Sequence, residues 1–386
     1  MLNEKLYNLR KKNDLSQERL AEILNISRQA IQKWETGASK PDIDNLIAIA
    51  KYFNVSIEWL LSSTDTRSTE EIRLDRKITP QYENIHEWEA YYSQLMTEYE
   101  QSIEEGKDIE ARKGLFEQVS LLSPSKEKEQ IADILFRMVL NAPQRSDYPY
   151  KEPSSLAEIK ALRHNFGLNF NDIPHEEKLR NKIFGAWFGR ICGCLLGKTV
   201  EGIRTNELIP LLMQTGNYPM HRYILSSDMN DEIYSKYSYN LSSRCFADKV
   251  NCMPTDDDTN YTVLASMIID RSGRSFTPSD VACAWVELQP KNAYCTAERV
   301  AFRNFIAGFF PPDSAEFKNP YREWIGAQIR ADYYGYINPG NPEEAADMAW
   351  RDGSISHVKN GIYGEMFVAA MLACAAVSDD IEIVVL

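Results

Sequence analysis

A chain of 386 residues with a formal net charge of −13 is long enough for two or three domains. It is too acidic to be built wholly for nucleic acid, because neutralising phosphate takes Lys and Arg. Its 44% hydrophobic and 11% aromatic content excludes a disordered tail and a fibrous repeat, and one small DNA-reading module on an acidic body fits both facts. The N-terminal MLNEKLYNLRKK has no apolar region ahead of a small-residue cleavage site. No apolar run approaches the ~18 residues of a spanning helix, so a cytoplasmic protein with no membrane partner is expected. The seven cysteines form no C-x-x-C pair, and reduced, mostly buried thiols are expected.

In chain order, Leu2, Leu6 and Leu9 set a first helix. Ser16 caps a second, with Arg19 rather than Glu at the N3 position, so the cap is not reciprocal. Leu20, Ile23 and Leu24 give this helix one apolar face. After Asn25-Ile26, Ser27 caps a third helix from Arg28 to Glu35 with Ala30, Ile31 and Trp34 inward, and Gly37 stops it. A fourth helix follows Pro41-Asp42 with Ile43, Leu46, Ile47 and Ala50 inward. A short fifth carries Ile57, Leu60 and Leu61. Two short helices joined by a tight turn inside a five-helix unit make a helix-turn-helix. The third helix turns Arg28, Gln29, Gln32 and Lys33 away from its apolar stripe, and Gln and Arg can read adenine and guanine edges. Gln17 and Ser27 stand at helix N-termini, where backbone N–H groups favour phosphate. Residues 1–62 hold nine Lys and Arg against eight Asp and Glu, so this segment is nearly neutral. Spacing alone leaves two readings open, DNA binding and a helical bundle for dimerisation.

The stretch SQERLAEILNISRQAIQKWETGASKPDIDNLIAIAKYFNVSIEWLL, within residues 5–61, resembles the Cro/C1-type helix-turn-helix family along its length. The resemblance implies a five-helix, lambda-repressor-like fold at 1–62 and sequence-specific binding to a double-stranded DNA operator, usually as a homodimer.

Residues 63–78 are polar and aperiodic, as in a flexible linker. In 79–175, Ile85, Trp88, Tyr92, Leu95, Met96 and Tyr99 predict a helix over 85–105, and Ile131, Ile134, Leu135 and Met138 predict another over 128–140. The proline-rich YPYKEP turn ends at Pro153, and Ser154-Ser155 caps a short helix at 156–163.

From 178, KLRNKIFGAWFGRICGCLLG reads as a helix with Gly185, Gly189, Gly193 and Gly197 on one face. Glycine costs about 1 kcal/mol per helical position, so four on one face imply close approach of another backbone or of a ligand; tight helix packing is the plainer alternative. Lys182, Arg190 and Lys198 rule out a membrane-spanning G-x-x-x-G helix. The sharpest chemical signal is Pro254-Thr255-Asp256-Asp257-Asp258-Thr259 ahead of an apolar helix. Three adjacent carboxylates either cap that helix or hold a hard cation, which takes carboxylate and hydroxyl oxygens. Further on, 343–351 and 361–376 read as helices, with His357 in a polar connection between them. With little β alternation anywhere, the fold class is all-α.

These residues resemble the ADP-ribosylglycohydrolase family over 176–386, with 79–175 similar to the extension of one long subgroup. The resemblance implies a mainly helical, Mg²⁺-dependent hydrolase of ADP-ribosyl linkages, acting on an ADP-ribosylated protein or an ADP-ribose-like ligand. It places metal ligands at Asp256, Asp257, Asp258 and Glu201, and catalytic roles at Glu201, Asp257 and Asp258. Asp256 stands where the family has threonine. Substrate contacts carry over to His357, Gly361 and Asp332. The family's later D-x-D-T motif, which completes a second metal half-site, does not occur, so the domain is expected to be incomplete at its C-terminus. Two other readings stay open: a transcription factor whose C-terminal domain senses ADP-ribose or another nucleotide without catalysis, and one whose helical body only mediates oligomerisation.

Overall fold

Apolar residues three and four apart become buried stripes wherever a cap starts the helix, and the N-terminal segment shows this locally. The computed structural model describes residues 2–13, 15–53, 55, 57–61, 86–163, 170, 172–237 and 245–385. Residues 1–81 and 82–386 form two separate units, and the expected linker at 63–78 lies outside the described residues. The first unit contains α1 (Leu2–Lys12), α2 (Gln17–Leu24), α3 (Arg28–Glu35), α4 (Ile43–Phe53) and α5 (Ile57–Leu61). The Ser16 Oγ accepts from Arg19 N at 3.0 Å and the Ser27 Oγ from Ala30 N at 3.2 Å, which satisfies N–H groups that a helix start leaves unpaired. Asn25 takes a left-handed conformation (φ 54°) and closes the turn between α2 and α3, a backbone state asparagine tolerates better than most residues. Leu6, Leu20, Ile31, Trp34, Ile49 and Leu60 share one core. Ile43, expected inward, is 74% exposed, and the buried face of α4 is formed by Leu46, Ile49 and Ala50 instead.

In the second unit the helix expected over 85–105 is broken. Single 3-10 turns at Glu87–Glu89 and Tyr91–Ser93 precede α6 (Leu95–Glu104), and Ile85 lies outside the described residues. A helix unforeseen in sequence, α7 (Lys113–Ser120), then leads to α8 (Lys126–Leu140). Tyr91, Leu95, Tyr99, Phe116, Leu135 and Phe136 form a core that Phe317 joins. Buried ion pairs bind the same segment to the rest of the unit: Glu89 to Arg299 (2.7 Å) and Lys291 (3.1 Å), and Arg322 to Glu98 (3.0 Å) and Glu105 (2.6 Å). The extension is therefore integral to the 82–386 unit rather than an appendage.

The remaining helices are α9 (Leu156–Leu162), α10 (Glu176–Lys198), α11 (Thr205–Gln214), α12 (Asp231–Lys236), α13 (Asp257–Ser272), α14 (Pro278–Leu288), α15 (Thr296–Ile306), α16 (Asp313–Glu316), α17 (Asp332–Tyr336), α18 (Pro342–Gly353), α19 (Lys359–Ala375) and α20 (Ile381–Val385). Their central core runs from Tyr261 and Leu264 on α13 through Trp285 and Tyr294 to Met348, Ile355 and Ile362. Trp285 and Tyr294 stack with centroids 4.5 Å apart. Among the described residues there is no strand, and one isolated bridge joins Lys107 and Gln144. All seven cysteines are free, but Cys192, Cys252, Cys283 and Cys295 are exposed, which corrects the expectation of mostly buried thiols. No described helix is long and apolar enough to cross a membrane.

Candidate functional site

On the N-terminal unit, Ile31 and Trp34 anchor α3 while Arg28, Gln29, Gln32 and Lys33 stand exposed. Two of the expected contacts are occupied internally. The Gln17 amide donates to Glu35 Oε2 at 2.8 Å, and the Ser27 hydroxyl is the α3 cap. Arg28 pairs with Glu18 at 2.6 Å with both side chains more than half exposed, a pair of small worth that a phosphate or guanine can replace. Arg10 holds Glu35 through a nearly sealed bidentate pair (2.6 and 2.9 Å), which ties α1 to the end of α3.

The aspartate cluster is built by two helices. Asp256 is the N-cap of α13, its carboxylate accepting from Asp258 N at 3.1 Å, so the capping role weighed from sequence is real for this residue. Against that N-terminus lies one face of α10, with Arg190, Cys194 and Lys198 four residues apart and hence aligned. Arg190 donates to the Asp258 carbonyl at 3.1 and 2.6 Å, to the Ile329 carbonyl, and to Asp332 Oδ1 at 3.3 Å. Lys198 Nζ lies 2.5 Å from Asp256 Oδ2. Ligand atoms of Cys194, Asp256 and Asp258 fall within 4.8 Å of one another.

This grouping differs from the one drawn from sequence. Asp257 and Glu201 are not in the group. Glu201 lies exposed beyond the end of α10. Asp257 Oδ1 accepts from Asp258 N at 3.2 Å, and burial, then the neighbouring Asp256 and Asp258, push its carboxyl up to about 6. For Asp256, burial opposes ionisation, but Lys198 and the Cys194 thiol outweigh it and hold its carboxyl below the usual range. Asp332 is buried and taken up by Arg190 and by the Tyr336 hydroxyl at 2.8 Å. The sequence signal for the α10 face is the i, i+4 spacing of Arg190, Cys194 and Lys198; in sequence, the charges of Arg190 and Lys198 excluded only a membrane helix. A Cβ on Gly185, Gly189, Gly193 or Gly197 of the same helix would have no described atom within 4 Å, so no described backbone approaches that face closely.

His357 sits in a polar stretch of sequence yet is wholly buried. Burial, then the Arg330 charge, push its pKa well below the ordinary value, so the ring is neutral. Its Nδ1 is 2.8 Å from Ser356 Oγ, which also accepts from Arg330 Nη1 at 2.9 Å. Gly361 packs directly on it, where a Cβ would lie 2.7 Å from His357 Cδ2 and 3.0 Å from the Arg322 carbonyl. Arg330, missed in sequence, is the hub of this region. It meets Asp352 at 2.5 Å, Glu298 at 3.3 Å and Glu365 at 3.4 Å. Three carboxylates around one guanidinium cannot all stay ionised cheaply. Burial is the main cause that pushes Glu298 up to about 7 and Glu365 well above its ordinary value.

Comparison with known proteins falls into two parts along the chain. The helix-turn-helix family model matches residues 6–60. The HTH-type transcriptional activator BcrR of Enterococcus faecalis is 49% identical over 63 residues, 16% of this chain and 31% of BcrR. The uncharacterized HTH-type transcriptional regulator YobD of Bacillus subtilis is 31% identical over 91 residues, 24% of this chain and 80% of YobD. The cryptic phage CTXphi transcriptional repressor RstR of Vibrio cholerae is 27% identical over 73 residues, 19% of this chain and 66% of RstR. This chain thus spans under a third of BcrR. No solved structure matches. The ADP-ribosylglycohydrolase family model matches residues 175–386, more than half of the sequence and all of the segment that brings α10 against the aspartates. Beyond its helix-turn-helix module, the chain belongs to the ADP-ribosylglycohydrolase family.

Proposed function

We propose that this protein is a transcriptional regulator that binds a DNA operator through α3 and carries a cation-dependent site for ADP-ribosyl linkages in its C-terminal domain. The observation that carries the second half is the α10 face, which sets Arg190, Cys194 and Lys198 against the Asp256–Asp258 cap of α13. Asp256 and Asp258 present oxygens to one place, which suits a divalent cation; magnesium is the family's expected ion. When bound, such an ion polarises ribose hydroxyls and a nearby water. Asp257, with a carboxyl near 6, is placed to take and return a proton close to neutral pH. Arg190 fixes the Asp258 main chain and Asp332 in one grip, so the carboxylates keep their aim. In this reading the physiological ligand is an ADP-ribosylated protein or free ADP-ribose.

The test is calorimetric Mg²⁺ titration of the wild type and of Asp257→Asn with Asp258→Asn, alongside ADP-ribose release from modified arginine. Loss of the Mg²⁺ heat in the double variant is expected. Equal heats in both would reduce the cluster to a helix cap, whose loss costs roughly 0.5–2 kcal/mol of stability. A second reading, a non-catalytic ADP-ribose sensor that biases operator binding, is favoured by two specific observations. Lys198 already neutralises Asp256, and His357 is sealed from solvent. Ligand-dependent operator affinity without ADP-ribose release would select it.

A further inference from the structure

The seam between the extension and the hydrolase-family body holds a cavity of about 440 Å³, within the size range of small-molecule sites. One wall comes from Tyr92 and from Ala132 on α8, the other from Val300 and Ile306 on α15 and from Phe317. Arg303 of α15 lines it as well. We propose that this cavity binds a small organic carboxylate, with Arg303 holding the carboxylate and the apolar walls holding a ring-sized body. None of its lining residues belongs to the aspartate cluster, so the proposal stands apart from the cation reading.

Charge leads there first. The buried Glu89 carboxylate is already taken by Arg299 at 2.7 Å and Lys291 at 3.1 Å. Arg303 reaches it only at 4.0 Å, and among the described residues no other acid lies within ion-pair distance of Arg303. Its Nη1 donates to the Glu89 carbonyl at 2.6 Å, while Nη2 donates to no described group. Burial pulls the Arg303 pKa below its usual value, and the Glu89 charge restores it only in part. A guanidinium short of negative charge, with 33% of its side chain exposed and an N–H edge to spare, suits the planar oxygens of a carboxylate. The other charges on the cavity narrow the ligand. Lys318 is held by Asp133 in a part-exposed pair, so those two cancel. Glu129 also lines the cavity and is exposed. Its charge opposes a second negative charge on the ligand, which favours a monocarboxylate over a phosphate dianion.

Benzoate is the probe, with phenyl phosphate and benzylamine as charge controls, and binding to the full chain is followed by saturation-transfer NMR at millimolar ligand. The wild type is expected to bind benzoate, to bind phenyl phosphate more weakly, and to leave benzylamine free. Arg303→Met should weaken benzoate about ten-fold or more, in line with loss of a charge-assisted hydrogen bond. Glu129→Gln should bring phenyl phosphate closer to benzoate. Ala307, an exposed residue on the cavity wall, gives the second variant. Ala307→Trp fills the cavity and leaves Arg303 in place; it should abolish benzoate binding, and it serves as the readout if Arg303→Met fails to fold. A wild type that binds no benzoate, or binds benzylamine as tightly, overturns the proposal. Unchanged benzoate binding in either the Arg303 or the Ala307 variant overturns it too, since the probe then sits elsewhere. Phenyl phosphate that displaces benzoate from the wild type overturns the choice of a carboxylate.

Discussion

Replacing Arg322 by methionine tests whether residues 86–153 are part of the hydrolase-family body. The guanidinium is 6% exposed. It donates through Nε to Glu105 at 2.6 Å and through Nη1 to Glu98 at 3.0 Å and to the Asn319 carbonyl at 3.1 Å. Both carboxylates come from the extension, and they are 0% and 4% exposed. Burial opposes the arginine charge, but Glu98 and Glu105 together more than restore it. Removing one partner of a buried pair costs about 3–5 kcal/mol, because the stranded charge cannot regain its water. Lys359 and Lys107 remain 3.6 and 4.0 Å from Glu105, so the lower part of that range, about 3–4 kcal/mol, is expected. Apolar replacement of the whole triad, Arg322→Met with Glu98→Leu and Glu105→Met, should recover most of that loss. The assay is guanidinium unfolding of the full chain followed by tryptophan fluorescence, with the midpoint shift read at constant slope. A cost below about 1 kcal/mol for Arg322→Met would refute the argument, since it would mean that water reaches the stranded carboxylates.

Gln29→Ala should weaken binding to the cognate operator by about 1–3 kcal/mol and barely affect random DNA; equal losses on both at fixed salt would remove its base-reading role. Gly361→Ala forces a Cβ to 2.7 Å from His357 Cδ2 and 3.0 Å from a main-chain carbonyl, and should destabilise by about 1–3 kcal/mol, measured by thermal unfolding. Glu298 titrates near 7 in the fold against an ordinary 4.5, chiefly through burial. A raised carboxyl stabilises the fold fully below its unfolded value, and that contribution is lost as pH climbs through the folded one. Wild-type stability should therefore fall between about pH 4.5 and 7 more steeply than that of Glu298→Gln, and parallel curves would show that Glu298 is already ionised there.

The local signals were legible and the distant ones were not. Ser16, Ser27 and the apolar stripes of α2 and α3 lie within a few residues of one another, so sequence order is also spatial order and periodicity suffices. Trp88 and Tyr92 were read as helical because a 3-10 turn and an α-helix place apolar residues at nearly the same spacing. α7 escaped because only Phe116 and Val119 on it are buried, too few to make a stripe. His357 shows the harder case. Its sequence neighbours Ser356, Lys359 and Asn360 suggest a wet connection, and it is buried because Arg330, 27 residues earlier in the chain, supplies a donor to Ser356 Oγ. The aspartate motif was found by composition, whereas its partners on α10 needed the knowledge that this helix crosses the motif. The side chains that cluster are accordingly Asp256, Asp258 and Cys194, whereas the sequence reading named Asp256, Asp257, Asp258 and Glu201.

Arg330 also explains how two stretches singled out separately in sequence belong to one device. Its Nη1 reaches both Glu298 on α15 and Ser356 beside His357, while Nε and Nη2 take Asp352 and Glu365. Asp257 is among the charges that raise Glu298, and Glu298 shares the Arg330 guanidinium with Ser356. Gly326 makes this arrangement possible, since a Cβ there would lie 2.1 Å from Glu298 Oε1. A buried network of this kind is stable only when each member is satisfied, and one cation for three acids leaves it satisfied only with protons retained on some of them. A shared guanidinium thus joins Glu298 to the Ser356–His357 turn, through side chains whose identity no local pattern in the sequence specifies.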